Sequence, residues 1–221
     1  MNPDCHLKYI VEDFKSRIVP NHRYSSFDYC YNYFFTTSDL TKDMEKSCLV
    51  LGFYLASWGM FRGSSFLLQH SGSIFKDTIE YINTVDKGYW EIDVDTYNKQ
   101  NIDRILNIYK EIKGILIPKG ITDLTLVTKV LLGVFGFVPA FDNYFCKTFR
   151  SLFKKQCGFR RFNKNSLECI YQFYLDNKLS IDDLSDTTLT TDFLSGKKTR
   201  IRYPKAKIID MYGFNKAITA R

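Results

Sequence analysis

"TKVLLGVFGFVPAFDNYF", residues 128–145, is the stretch on which the reading of this chain turns. An apolar helical run carries one lysine, Lys129, into a Gly-rich break. Pro139-Ala140-Phe141 then delivers a carboxylate, Asp142, to the start of a second helical run. Widened to 122–154, the pattern is helix, short Gly/Pro hairpin, helix. Thr122 or Asp123 offers a cap for the first arm. Pro139 suits the first helical position of the second, where its missing N–H is not needed. Asp142 then falls in the first turn, where the helix dipole favours a negative charge. Backbone amides at such a start form an anion site, and Lys119, Lys129, Lys147 and Arg150 surround it in sequence. Two readings of Asp142 follow. It satisfies a helix end, or it is a catalytic carboxylate that activates water or steadies a sugar turning cationic.

The three-and-four spacing of apolar residues continues in both directions, so the expected fold class is all-α. In "HLKYIVEDFKSRI" Leu7, Ile10, Val11 and Phe14 share a face, and Pro20 ends the run. "DLTKDMEKSCLVLGFYLASWGMF" is apolar all round, which predicts a buried central helix closed by Arg62-Gly63. Ser64 or Ser65 starts the next run. "NIDRILNIYKEIKGIL" has Ile102, Ile105, Leu106 and Tyr109 on one face. Ser166, with Glu168, offers a cap for "NSLECIYQFYLDN". Residues 86–101 lose the period and are the expected linker between two lobes. Residues 178–199 are polar and weakly periodic. No strand-length alternation and no repeat is visible.

At 221 residues and 45% hydrophobic, the chain can bury a core as one domain of two intimately packed lobes. The formal charge of +7 and a pI near 9.0 favour polyanionic partners, nucleic acid first. Aromatics make up 16% of the chain, and aromatics interleaved with basic residues suit base stacking and phosphate contact. The six cysteines and three histidines are too scattered for a metal site, so neither metal nor cofactor is expected. The polar start "MNPDCHLKYIVEDF" lacks a secretory pattern, and the longest apolar stretch is too short to cross a bilayer. A reduced, cytoplasmic monomer without a membrane partner is the expectation.

The arrangement of 122–154 resembles the helix-hairpin-helix DNA glycosylases of base excision repair. "VPAFDNYF" is similar to the small apolar segment that, in those proteins, leads to an aspartate opening a helix. The resemblance implies an all-α, two-lobed enzyme whose hairpin grips the DNA backbone. It implies that a flipped base loses its N-glycosidic bond, with Asp142 in the aspartate's place. Bifunctional members use a hairpin lysine that forms a Schiff base with the sugar, and Lys129 stands where it would. The Lys129–Asp142 interval is shorter than the family's, and the hairpin lacks its Gly-x-Gly. A monofunctional enzyme using water is therefore expected. At the level of fold and size the chain is similar to compact phage-defence glycosylases that excise modified bases.

Other residues join this reading. Tyr54, Trp58 and Arg62 fall at four-residue steps, as one helical face that would stack and hydrogen-bond an extruded base. Asp28, Tyr31 and Asn32, with Phe141, would line the same pocket. Lys147, Arg150, Lys154, Lys155, Arg160 and Arg161 form one basic run for DNA phosphates, and the tail "KKTRIRYPKAK" forms another. Two rivals stand beside this: a non-catalytic nucleic-acid-binding module, and an interaction protein of the toxin–antitoxin kind. The last would show a large exposed apolar patch.

Overall fold

A computed structural model of the protein describes residues 3–219. Most of these residues are helical, as the periodicity requires. The α-helices are α1 (Pro3–Lys15), α2 (Ser26–Thr36), α3 (Met44–Ser57), α4 (Lys76–Thr84), α5 (Lys99–Leu116), α6 (Leu124–Phe135), α7 (Asn143–Phe153), α8 (Lys164–Asp176), α9 (Lys178–Thr187) and α10 (Lys205–Thr219). One antiparallel ribbon, β1 (Leu189–Thr191) with β2 (Lys198–Arg202), lies between α9 and α10. It falls in the stretch whose sequence shows no strand alternation. Three and five residues offer too few positions for a period-two pattern, and the tip is closed by Gly196 at φ +65°.

The helix at the centre is α6. Every residue from Leu126 to Phe135 is buried. This corrects the expectation that the 39–61 run would be central. α3 stops at Ser57 and leaves Leu49 and Phe53 exposed. Gly59, at φ +78°, ends it. Its N–H and that of Met60 close back on the carbonyls of Ala56 and Leu55. Arg62 therefore lies beyond the helix, on the surface, and does not continue a face with Tyr54 and Trp58. α6 sits hard against α3: a Cβ on Gly133 would lie 2.3 Å from a Tyr54 ring carbon. Likewise a Cβ on Gly213 of α10 would lie 2.5 Å from the Phe145 ring of α7. Glycines at these two points let helices approach closely.

Residues 86–101, where the period lapses, contain two 3₁₀ turns, Lys87–Tyr89 and Val94–Thr96. Their polar groups reach into the core. Trp90 Nε1 donates to the Val134 carbonyl at 2.8 Å, and Tyr97 OH to that of Phe137 at 2.6 Å. Asp93 accepts from the first amides of α10, Lys205 N at 2.6 Å and Ala206 N at 3.0 Å. The segment thus satisfies the end of α6 and caps the start of α10. One hydrophobic cluster runs from Leu7 to Phe214. Two caps also differ from expectation. α8 starts from an Asn163–Ser166 capping box rather than from Ser166 with Glu168. Asp123 precedes α6, but its carboxylate goes to Tyr109 OH and Lys113.

Candidate functional site

The loop between α6 and α7 is held from both sides. Phe141 N donates to Thr128 Oγ1 at 2.8 Å, and Thr125 Oγ1 donates to the Phe141 carbonyl at 3.0 Å. Ala140 N donates to Asp210 Oδ1 of α10 at 3.1 Å. Pro139 lies within this buried loop and not at the first helical position. α7 begins at Asn143, with Asp142 as its N-cap. Asp142 Oδ1 accepts from Tyr144 N at 3.0 Å and Phe145 N at 2.9 Å. Its Oδ2 faces Lys129 Nζ at 3.5 Å. The carboxylate thus has two partners: one oxygen caps a helix and the other faces an ammonium.

Lys129 is only 3% exposed, and the Asp142 side chain 15%. A second pair stands beside them. Lys207 Nζ lies 2.8 Å from Asp210 Oδ2, both buried, and Asp210 also holds the hairpin through Ala140. The two ammonium groups share one aromatic neighbour. Lys129 Nζ is 5.1 Å and Lys207 Nζ 4.8 Å from the centre of the Trp58 ring. Tyr24 stacks on Trp58 at 5.3 Å, and Phe214 meets it edge-on at 5.7 Å. The Trp58 Nε1 donor is buried without a hydrogen-bond partner. Tyr54 completes the group. Burial pushes its phenol well above its ordinary range, and the charges of Asp210 and Asp142 push the same way.

Two ammonium–carboxylate pairs and an orphaned indole N–H are costly to bury, and apolar side chains of similar volume would pack the same space without that cost. Chemically, the constellation offers a carboxylate beside a cation, within a wall of aromatic rings. A purely architectural role would be to pin the hairpin between α6 and α10.

Of the residues expected to line a pocket, Tyr54 and Trp58 come together with Lys129 and Asp142. The others do not. Asp28, fully buried, accepts from Thr191 N at 2.7 Å and from Tyr203 OH, and burial raises its carboxyl above the usual range. Asn32 donates to the Thr191 carbonyl at 3.0 Å and accepts from Thr190 Oγ1 at 2.7 Å. These two fasten the ribbon to α2. Tyr31 stacks on Phe27, and Phe141 on Phe145, within the core. Arg62 is exposed and separate.

The residues 136–141 are all buried, so the hairpin itself has no free surface to lay on a polyanion. The basic run beside it does. Lys147, Arg150, Lys154, Lys155, Arg160 and Arg161 are all exposed, along α7 and the loop after it. Arg150 Nε donates to the Gly158 carbonyl at 2.9 Å, which ties that loop back onto α7. The tail run is different. Arg202 pairs with Asp186 at 2.7 Å, Lys205 with Asp95 at 3.0 Å, and Lys207 is interior. Lys207 and Asp210 are the site residues that sequence reasoning missed. Their signal was an acid three residues after a lysine inside the apolar run "KIIDMY".

Among the described residues no three His, Cys, Asp or Glu side chains gather as a metal site would need. Cys30, Cys48, Cys146, Cys157 and Cys169 are buried free thiols, and Cys5 lies outside the described side chains. No helix among the described residues is long and apolar enough to cross a membrane. No family model, no curated protein and no solved structure matches the chain.

Proposed function

We propose that the protein is a monofunctional DNA glycosylase that hydrolyses the N-glycosidic bond of a damaged or modified base and leaves an abasic site. The observation that carries this is the meeting of Lys129 and Asp142 at 3.5 Å, across a helix N-terminus and under Trp58. Asp142 Oδ2 orients water at the sugar C1′, or stabilises the positive charge that forms there as the bond to the base breaks. The electrons of that bond leave with the base, which takes up a proton, and water's oxygen stays on the sugar. Lys129 positions the carboxylate. Trp58, the half-buried ring of the cluster, supplies the aromatic face for a base taken out of the stack, with Tyr54 and Tyr24 packed behind it. The exposed run from Lys147 to Arg161 supplies phosphate contact. In this reading 122–154 serves as a helix-hairpin-helix-like element between two lobes. The enzyme works as a cytoplasmic monomer, needs no cofactor, and acts on modified phage DNA.

The test is incubation with a panel of normal, damaged and hypermodified phage DNAs, read by released base. The expected result is free base and an alkali-labile site, with no borohydride-trapped adduct. Affinity for DNA should fall steeply with salt, and neutralising Lys154, Lys155, Arg160 and Arg161 together should flatten the log–log slope by up to about 4. Binding without release on every substrate would leave a nucleic-acid-binding module. Affinity indifferent to salt would remove nucleic acid as the partner.

A further inference from the structure

We propose that the groove between α2, α3 and the tip of the β1–β2 ribbon receives an amphipathic helix of a partner protein, one with an apolar stripe and basic residues near it. The groove is lined by residues other than Lys129, Asp142 and Trp58, and the proposal stands apart from the glycosylase reading.

The two helices run antiparallel. Arg23, just before α2, reaches the Ser57 carbonyl at the end of α3 at 3.3 Å, and Tyr33 OH meets Ser47 Oγ at 2.7 Å. The channel beside them has a volume of about 770 Å³. Eleven residues of α2 give it a length of roughly 16 Å. Two antiparallel helical ridges form the natural seat for a third helix.

Its walls are apolar and uncovered. Leu49 and Phe53 stand one turn apart on α3, 56% and 66% exposed. Phe193 and Leu194, at the ribbon tip, are 69% and 91% exposed. Tyr29 meets Phe193 edge-on at 5.0 Å and holds that tip at the groove. Large apolar side chains gathered and exposed in this way mark an interaction surface. Ser26 lines the groove, is 3% exposed, and its Oγ is buried without a hydrogen-bond partner.

Charge decides the occupant. Asp43, Glu45 and Asp192 line the groove against a single cation, Lys46. In a chain of net +7 this is a local excess of negative charge. Hydrogen bonds from the Ser195 hydroxyl and N–H hold the Asp192 carboxyl below the usual range, so it stays charged at neutral pH. A helix with Lys or Arg beside its apolar stripe complements this rim.

The probe is a fluorescein-labelled peptide of about 15 residues, built of Leu and Lys with one apolar stripe, beside its Leu/Glu counterpart. Anisotropy is read on titration with the full chain. The Leu/Lys peptide should bind saturably, and the Leu/Glu peptide at least about tenfold more weakly. Leu49→Ser with Phe193→Ser should weaken binding at least about tenfold, and Glu45→Lys should weaken it as well, without shifting the urea midpoint much, since all three positions are exposed. Non-saturable binding, equal binding of both peptides, or indifference to the double variant would overturn the proposal. So would self-association of the protein that the double variant abolishes, which would make a second copy the occupant.

Discussion

Asp142 is where the chemistry of one residue is most divided. Its Oδ1 does what an N-cap carboxylate does, and its Oδ2 faces Lys129. Substitutions separate the two jobs. Asp142→Asn keeps an oxygen for Tyr144 N and Phe145 N, so the helix start survives. It leaves the buried Lys129 ammonium facing a neutral amide, at a cost of about 1–3 kcal/mol given the partial exposure of the pair. Asp142→Ala removes the cap as well and should cost about 1 kcal/mol more. Urea denaturation of the two variants checks this order. Equal stability of Asn and Ala would mean the cap contributes nothing. On a confirmed substrate, Asp142→Asn should lower base release by orders of magnitude, because the charge acts mainly in the transition state. Undiminished release would reduce Asp142 to its capping oxygen. This residue was legible in the sequence because a lone acid after "FVPAF" is conspicuous. Lys207 was not. It reads as one more charge in a basic tail, and only its apolar neighbours Ile208, Ile209 and Met211 mark it as interior.

At the scale of elements, the succession of α6, a tight loop and α7 was readable, and the packing of α6 on α3 and of α7 on α10 was not. An apolar run, Gly136 at φ +76° and a capping acid define the end of one helix and the start of the next from local signals alone. The end of α3 was obscured because "SWGMF" continues the apolar pattern while Gly59 breaks the backbone. The ribbon escaped because its anchors, Asp28 and Asn32, lie about 160 residues before it and read as pocket lining. What joins α3 to α6 is an absence of side chain at Gly133, under the Tyr54 ring. Gly133→Ala forces that ring to move and should cost about 2–3 kcal/mol despite the better helix propensity of alanine. In a Tyr54→Ala background the same change should cost far less, since the clash is with that ring. A double-mutant cycle by urea denaturation reads the coupling. Additive costs would show that Tyr54 is not what the missing methyl makes room for. Because Tyr54 feels the charges of Asp142 and Asp210, Gly133→Ala also tests how rigidly the site depends on this contact.

For the whole molecule, the segment 86–101 ties distant parts of the fold, through Trp90 and Tyr97 to the end of α6 and through Asp93 to the start of α10. Asp93 is half-buried as a residue, but its carboxylate turns inward under the first turn of α10. Burial pushes it up to about 6. Hydrogen bonds from Val94, Lys205 and Ala206 oppose that rise, and the neighbouring Asp95 charge adds to it. Such a group has a definite sign. With the folded carboxyl binding its proton more tightly than the unfolded one, the native state holds more protons between about pH 4 and 6, so the stabilisation is complete below about pH 4 and is lost as pH rises through about 6. Asp28, raised by burial at the foot of the ribbon, pushes in the same direction. Asp123 and Asp182 are lowered, and their opposite effect falls below this window, as they protonate in acid. Between pH 4 and 6 the urea midpoint should therefore fall with rising pH, by up to about 1 kcal/mol per unit from Asp93 once its partial exposure is allowed for. Asp93→Asn should flatten that slope and lower stability at every pH, because an amide cannot accept at both positions where the carboxylate now meets Val94, Lys205 and Ala206. A midpoint that rises through the window in the native chain, or a slope untouched by Asp93→Asn, would place the proton elsewhere and leave the cap of α10 electrostatically inert.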